Sequence, residues 1–169
     1  MSYTYPNGQP QGYPYYFTNK IRESLIGEII AINGYAEHIA NSNMREFNDV
    51  WQSIMGDEKK HYGMFLTLLR KYDPAQYQAY LEHVKVTVNV TQLQPFKPSY
   101  DIQLILNNVR EDIKGEFEAV ILYEQVLIEM PYQDIKDVFN SIIAEEKGHA
   151  EHLTKLLIAF DEDKYDDLT

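Results

Sequence analysis

Two short stretches of this chain carry a metal-ligand spacing, Glu58-Lys59-Lys60-His61 and Glu146-Lys147-Gly148-His149. In each, a glutamate and a histidine stand three residues apart, so on a helix both side chains leave one face and converge. A carboxylate with an imidazole offers oxygen and nitrogen donors that suit iron, manganese or zinc. Either stretch alone is weak, because a helical glutamate is usually solvated and a core histidine is more often hydrogen-bonded than ligating. Their weight comes from the elements that carry them.

Four segments repeat apolar residues in alternating steps of three and four, the seam of an amphipathic helix. The first passes through Ile21, Leu25, Ile32, Tyr35 and Ile39 with Glu28 on the same seam, and the second through Phe47, Trp51, Ile54, Phe65 and Leu68 with Glu58 and His61. The third passes through Leu106, Val109, Ile113, Val120 and Tyr123 with Glu116, and the fourth through Ile135, Phe139, Ile142, Leu153 and Phe160 with Glu146 and His149. Sliding the second half onto the first by 88 residues lays Arg110-Glu111 on Arg22-Glu23, Gly115-Glu116 on Gly27-Glu28, Tyr123 on Tyr35, Phe139 on Trp51, Glu146 on Glu58 and His149 on His61, without a gap. The chain is therefore two helical hairpins, each supplying one glutamate from its first helix and one Glu-x-x-His from its second.

A short turn inside each hairpin makes its helices antiparallel neighbours, and a long connection lets the second hairpin pack across the first. The expected fold is all-α, a four-helix bundle of hairpins 19–72 and 100–160 joined by a crossover over 73–99. Asn43 with Glu46 resembles a capping box for the second helix, and Asp73 before Pro74 predicts a short capped helix to about His83. Beyond it Val84, Val86, Val88 and Val90 alternate as a lone strand would, a candidate dimer contact. Residues 1–18, rich in Tyr, Pro and Gly, read as a flexible or extended arm, and 161–169 as a solvated, frayed acidic tail.

In that bundle four glutamates and two histidines meet at mid-length. Four carboxylates in an apolar core would repel one another and lose hydration worth several kcal/mol each, unless protons or cations neutralise them. Two divalent ions cancel the charge, and bridging glutamates would hold them roughly 3.5 to 4 Å apart. Asp57 and Glu145, four residues before the histidines, either accept the other ring N–H or merely add surface charge. Tyr35 and Tyr123 need hydroxyl partners once buried, and a ligand carboxylate is the nearest. His38, His83 and His152 read as surface or packing residues, Glu118 and Glu124 as structural, and Lys59, Lys60 and Lys147 as flanking the bundle in solvent.

Bulk composition narrows the chemistry. A chain of 169 residues with 44% hydrophobic content supports one domain with a core. The absence of cysteine removes disulfides, thiolate metal sites and a thiol nucleophile, and a net charge of -11 argues against nucleic acid and anionic membrane as partners. No membrane span or secretory signal is visible, so a cytoplasmic location is expected.

Over residues 19–160 the chain resembles the erythrin domain of rubrerythrins in the ferritin-like superfamily, on Glu28, Glu58-x-x-His61, Glu116, Glu146-x-x-His149 and the paired tyrosines. The resemblance implies a ferritin-like bundle with a non-haem di-iron centre bridged by Glu58 and Glu146, with Glu28 and His61 on one ion and Glu116 and His149 on the other. It implies reaction with dioxygen or hydrogen peroxide; no catalytic group beyond the ligands is expected, and a homodimer or higher homo-oligomer is the expected state. Manganese is the alternative metal, and zinc a substitute in recombinant material. Two departures stand out. Without cysteine there is no rubredoxin domain, so a peroxidase would need an external electron donor; and Ala119 occupies the place, one turn after Glu116, of an additional carboxylate in typical rubrerythrins. Three functions follow as expectations: a peroxidase or ferroxidase-like oxidoreductase in oxidative stress or iron handling, a dimanganese catalase-like enzyme needing no reductant, and a metal-stapled structural or storage protein assembling through its arm.

Overall fold

Among the described residues five helices form: α1 (Phe17–Ala40), α2 (Arg45–Tyr72), α3 (Pro74–His83), α4 (Ile102–Glu129) and α5 (Gln133–Phe160), with α3 behind the Asp73 cap and the other four where the apolar periodicity places them. The computed structural model describes residues 17–83 and 101–161, together with the backbone of two short pairs near the start, β1 (Tyr3–Thr4) and β2 (Gln9–Pro10), which run antiparallel. The alternating valines of the crossover, most of the arm and the tail beyond Asp161 lie outside the described residues.

The bundle proper is α1, α2, α4 and α5. Within each hairpin α1 packs on α2 and α4 on α5, while α1 meets α4 and α2 meets α5 across the hairpins. Helices of 28 residues such as α2, α4 and α5 reach about 42 Å at 1.5 Å per residue, long enough for a core at each end and a polar belt between. One cluster is built around Ile21, Phe65, Tyr123, Ile135 and Phe139, the other around Tyr35, Phe47, Trp51, Val109 and Leu153. Repeat mates fall in opposite clusters: Ile21 and Val109, Phe139 and Trp51, Phe65 and Leu153. The repeat thus acts as a twofold rotation through the polar belt, exchanging the two ends of the bundle.

The helix ends show where local chemistry prevailed. Asp73 accepts the backbone N–H groups of Ala75 and Gln76, both at 3.1 Å, and opens α3 at Pro74. Asp101 caps α4 through the amides of Gln103 and Leu104. The capping box at Asn43 and Glu46 does not form: Met44 is the N-cap residue of α2 and makes no side-chain cap. Ser42 takes the local bonding instead, its hydroxyl accepting the Met44 amide at 3.1 Å and its carbonyl accepting Asn48 Nδ2 at 2.9 Å, so the turn tightens one residue before the box could close.

Asp161, the first residue of the expected tail, is not solvated. Its carboxylate is buried, 3% exposed, and pairs with Arg110, while its backbone N–H bonds the Leu157 carbonyl. Its mate Asp73 pairs likewise with Arg22. Each hairpin is therefore clamped from the end of its second helix to the opening turns of its first, and the charge that looked like a frayed end is a helix stop. Arg110→Ala is expected to lower stability by about 1.5 to 3 kcal/mol, the usual worth of a hydrogen bond to a charged group. Hydrogen exchange should locate the loss in the last turn of α5, with α2 unaffected.

Candidate metal centre

The belt between the two cores is made of Glu28, Glu58, His61, Glu116, Glu146 and His149, every one of them buried. Each helix of the bundle reaches it with the polar residues of its apolar seam, so the side chains arrive already surrounded by packed neighbours. His61 Nδ1 lies 3.2 Å from Glu58 Oε2, 3.3 Å from Glu146 Oε1 and 3.7 Å from Glu28 Oε2. His149 Nδ1 lies 3.1 Å from Glu58 Oε1, 3.1 Å from Glu146 Oε2 and 3.4 Å from Glu116 Oε2. Two overlapping sets result, Glu28, Glu58, His61 and Glu146 in one, and Glu58, Glu116, Glu146 and His149 in the other, with donor atoms within 4.8 Å of one another in each. Glu58 and Glu146 belong to both.

The outer faces of the imidazoles are held from the opposite hairpin. His61 Nε2 lies 3.1 Å from Glu145 Oε2, and His149 Nε2 lies 3.6 Å from Asp57 Oδ2. Each carboxylate precedes a glutamate of one hairpin and serves the histidine of the other, because Nε2 points away from its own helix. The tyrosines cross over in the same way: Tyr35 donates to Glu116 Oε1, and Tyr123 to Glu28 Oε1 at 2.5 Å. That occupies one oxygen of each terminal glutamate and leaves Oε2 as the atom facing its histidine.

Electrostatics show how the belt survives in an apolar core. Burial pushes Glu28 and Glu116 up to about 8 from an ordinary 4.5, so both hold protons near neutrality. Burial acts upward on Glu58 too, but the adjacent His149 and His61 outweigh it and bring the group down to about 2; Glu146 is lowered by the same two histidines against the same burial. Burial opposes charge on the histidines, yet the surrounding glutamates prevail and raise His149 to about 12, with His61 raised as well. Two ionised carboxylates then balance two imidazolium ions. Burial and the adjacent carboxylates drive the phenols of Tyr35 and Tyr123 far up, which keeps them as hydrogen-bond donors.

Even so, protons leave the belt incompletely satisfied. Each histidine Nδ1 bonds the glutamate of its own helix, so Glu58 Oε1 and Glu146 Oε1, although 3.1 Å and 3.3 Å from the opposite histidine, are buried without a well-aligned hydrogen bond, and under-satisfied acceptors of this kind are costly. They belong to the two carboxylates common to both sets, where a bridging cation would coordinate. The donor set fits two cations of the iron, manganese or zinc type.

Sequence reasoning missed Asp112. Its Oδ2 accepts His38 Nδ1 at 3.0 Å and the Trp51 indole N–H at 2.9 Å, and His38 packs on Trp51 with ring centroids 5.3 Å apart. The residue sits one turn before Glu116, but its repeat mate is Ser24, so a search by repeat symmetry passes over it. His83 and His152 are exposed, as are Lys59, Lys60 and Lys147. Lys147 pairs with Glu124 at 2.8 Å and Lys60 with Asp57 at 2.5 Å. A cavity of about 390 Å³ opens between α1 and α4 and reaches Glu28, Glu58, Glu116 and Glu146.

This is a ferritin-like helical bundle with a buried carboxylate and histidine belt suited to two metal ions. Residues 107–167 match the family model described as Rubrerythrin. A 56-residue stretch is 34% identical to the encapsulin nanocompartment cargo protein EncC of Myxococcus xanthus, covering 33% of this chain and 43% of that protein, so the match spans less than half of the relative. Among solved structures, a hypothetical protein from Pyrococcus furiosus superposes with a TM-score of 0.65 at 19% identity, over 92% of this chain and 97% of that one. The dodecameric thioferritin of Bacteroides fragilis, a bacterioferritin-related protein, gives 0.60 at 16% identity, over 90% of each chain. At these identities the structural likeness speaks for the fold.

Proposed function

We propose that the chain is a non-haem di-iron oxidoreductase that reacts with hydrogen peroxide or dioxygen, of the peroxidase or ferroxidase kind. The observation that carries the reading is the pair of overlapping four-residue sets sharing Glu58 and Glu146, in a buried belt whose protons leave an oxygen of each shared glutamate without a well-aligned hydrogen bond. Held there, two iron ions would supply the reducing electrons through their divalent and trivalent states. The chain's own residues do the rest. Glu28 with His61, and Glu116 with His149, would each complete one ion between the shared glutamates. Glu145 orients His61 by accepting at Nε2, which leaves Nδ1 as the atom that would ligate and raises its basicity, while Asp57, 3.6 Å from His149 Nε2, acts on the other imidazole through its charge. Tyr35 and Tyr123 steady the terminal glutamates, and the two apolar clusters keep the belt dry from both ends.

Metal-free protein titrated with Fe(II) under nitrogen should take up two ions per chain. Peroxide or air should then bring up the near-ultraviolet absorption of Fe(III); silence with both oxidants overturns the reading. A manganese-loaded sample that releases oxygen from peroxide without a reductant would place the chain with catalases instead. The encapsulin cargo relative and the dodecameric neighbour favour, as a second reading, work within a homo-oligomer or larger assembly. Loss of assembly on deleting residues 1–16, with metal uptake unchanged, would support a role for the arm in it.

A further inference from the structure

The cavity between α1 and α4 is far larger than peroxide or dioxygen requires, since one water occupies roughly 30 Å³ of liquid and the cavity holds about 390 Å³. Its size falls within the usual range for organic ligands, about 300 to 1,000 Å³. Small residues make the space: Gly27, Ala31 and Gly34 on one wall, and Gly115 and Ala119 with Leu122 on the other. A Cβ added at Gly34 or Gly115 would meet nothing within 4 Å. Ala31 and Ala119 are repeat mates, so the alanine that stands in place of a further carboxylate keeps both walls apolar. Such walls favour carbon, and a hydrated metal ion would gain nothing from them.

The charged lining has one sign. Glu111, Asp112 and Glu118 line the cavity away from the ligand belt, with His38 the single basic-type residue of the lining; outside it the exposed Lys114 reaches Glu111 at 3.8 Å and Glu118 at 3.3 Å, which leaves Asp112 as the principal anion of the slot. Asp112 receives both of its hydrogen bonds at Oδ2, and no described residue bonds Oδ1. An acceptor is thus presented beside an apolar slot whose deep end is formed by glutamates.

We propose that this slot binds a small organic cation, an ammonium group on an apolar body, with the ammonium at Asp112 and Glu111 and the body between the Gly34 and Ala119 walls. The inference rests on the two-metal reading only in making the ligand a candidate reaction partner of the centre. Binding itself does not depend on metal.

The test uses the full chain, metal-free and metal-loaded, titrated by calorimetry with n-octylammonium, n-octanol and n-octanoate. The emission of Trp51, the only tryptophan, reports location through its bond to Asp112. Octylammonium should bind saturably and shift that emission, about tenfold more tightly than octanol, the worth of one hydrogen bond to a charged group. Octanoate should bind more weakly than either. Gly34→Leu fills the slot and replaces a helical glycine by a better helix former, so it should fold, keep its metal content and lose octylammonium binding by tenfold or more. Asp112→Asn keeps an acceptor for His38 and Trp51 and should erase the preference for the cation over the alcohol. Equal affinity for the three probes, no saturable binding, as when a second copy covers the slot, or unchanged binding in Gly34→Leu overturns the proposal. Probe binding without metal uptake sinks the di-iron reading and spares the slot, whereas two metals without probe binding do the reverse.

Discussion

Raising the pH from about 5 to about 8 is expected to lower the melting temperature of the metal-free protein and to enlarge the gain in melting temperature on binding metal. Glu28 and Glu116 titrate at about 8 in the fold and at 4.5 ordinarily. Between those values the folded chain holds two protons that the unfolded chain has released, so stability is full below 4.5 and is lost as the pH climbs through 8, at about 1.4 kcal/mol per pH unit per group. His149, raised from 6.5 to about 12, and His61, also raised, add to the same trend above 6.5. Glu58, lowered to about 2, contributes stability that is present above 4.5 and disappears only in strong acid, outside this window. Metal ions compete with these protons. Two divalent ions bound near pH 7 should displace about four, one each from Glu28, Glu116, His61 and His149. Calorimetric titrations in two buffers of different ionisation heat measure that number directly. A melting temperature that rises with pH in the metal-free form, or metal binding without proton release, would show that the belt is not neutralised as described.

Substituting the shared and the terminal glutamates should give opposite results. Glu28→Gln keeps an oxygen for the Tyr123 hydroxyl and mimics the protonated acid. Metal-free, at about pH 8, this variant should melt no lower than the parent, because it removes a charge that the core disfavours. Its metal content should fall from two ions to about one, since Glu28 serves one set only. Glu58→Ala removes a member of both sets and should abolish uptake of both ions. It also deprives two imidazolium ions of a counter-charge, a loss of about 3 kcal/mol or more for a buried pair broken on one side. Phe139→Ala provides the contrast: a cavity costing about 3 to 5 kcal/mol in the core, with two ions still bound by whatever fraction is folded. Metal analysis and thermal melts on the same preparations distinguish the three patterns.

Much of this architecture is written in side-chain periodicity. The all-α fold and the grouping of the six buried glutamates and histidines followed from apolar steps of three and four interrupted at repeat-related positions, because burial punishes polar residues on a seam unless they have a purpose. The Asp73 cap was legible since its partners lie two and three residues away. What stayed hidden depends on distant geometry. Nothing local says that Tyr35 reaches Glu116 rather than Glu28, or that Glu145 serves His61 of the other hairpin. Asp161 looked like one more charge in an acidic run, and only its partner Arg110, 51 residues earlier, makes it a helix stop. Asp112 was invisible for a different reason: symmetry drew attention to residues with mates, and it has none of its own kind.

The twofold repeat has a further consequence through its imperfections. His61 lies 3.1 Å from a glutamate at Nε2, His149 3.6 Å from an aspartate, and the trio of Asp112, His38 and Trp51 stands at one end of the bundle only. Metal ions held there would meet two unlike settings, with the His61 imidazole more strongly polarised from behind than that of His149. The two positions would then differ in affinity, so ions added stepwise would load one side of the belt before the other.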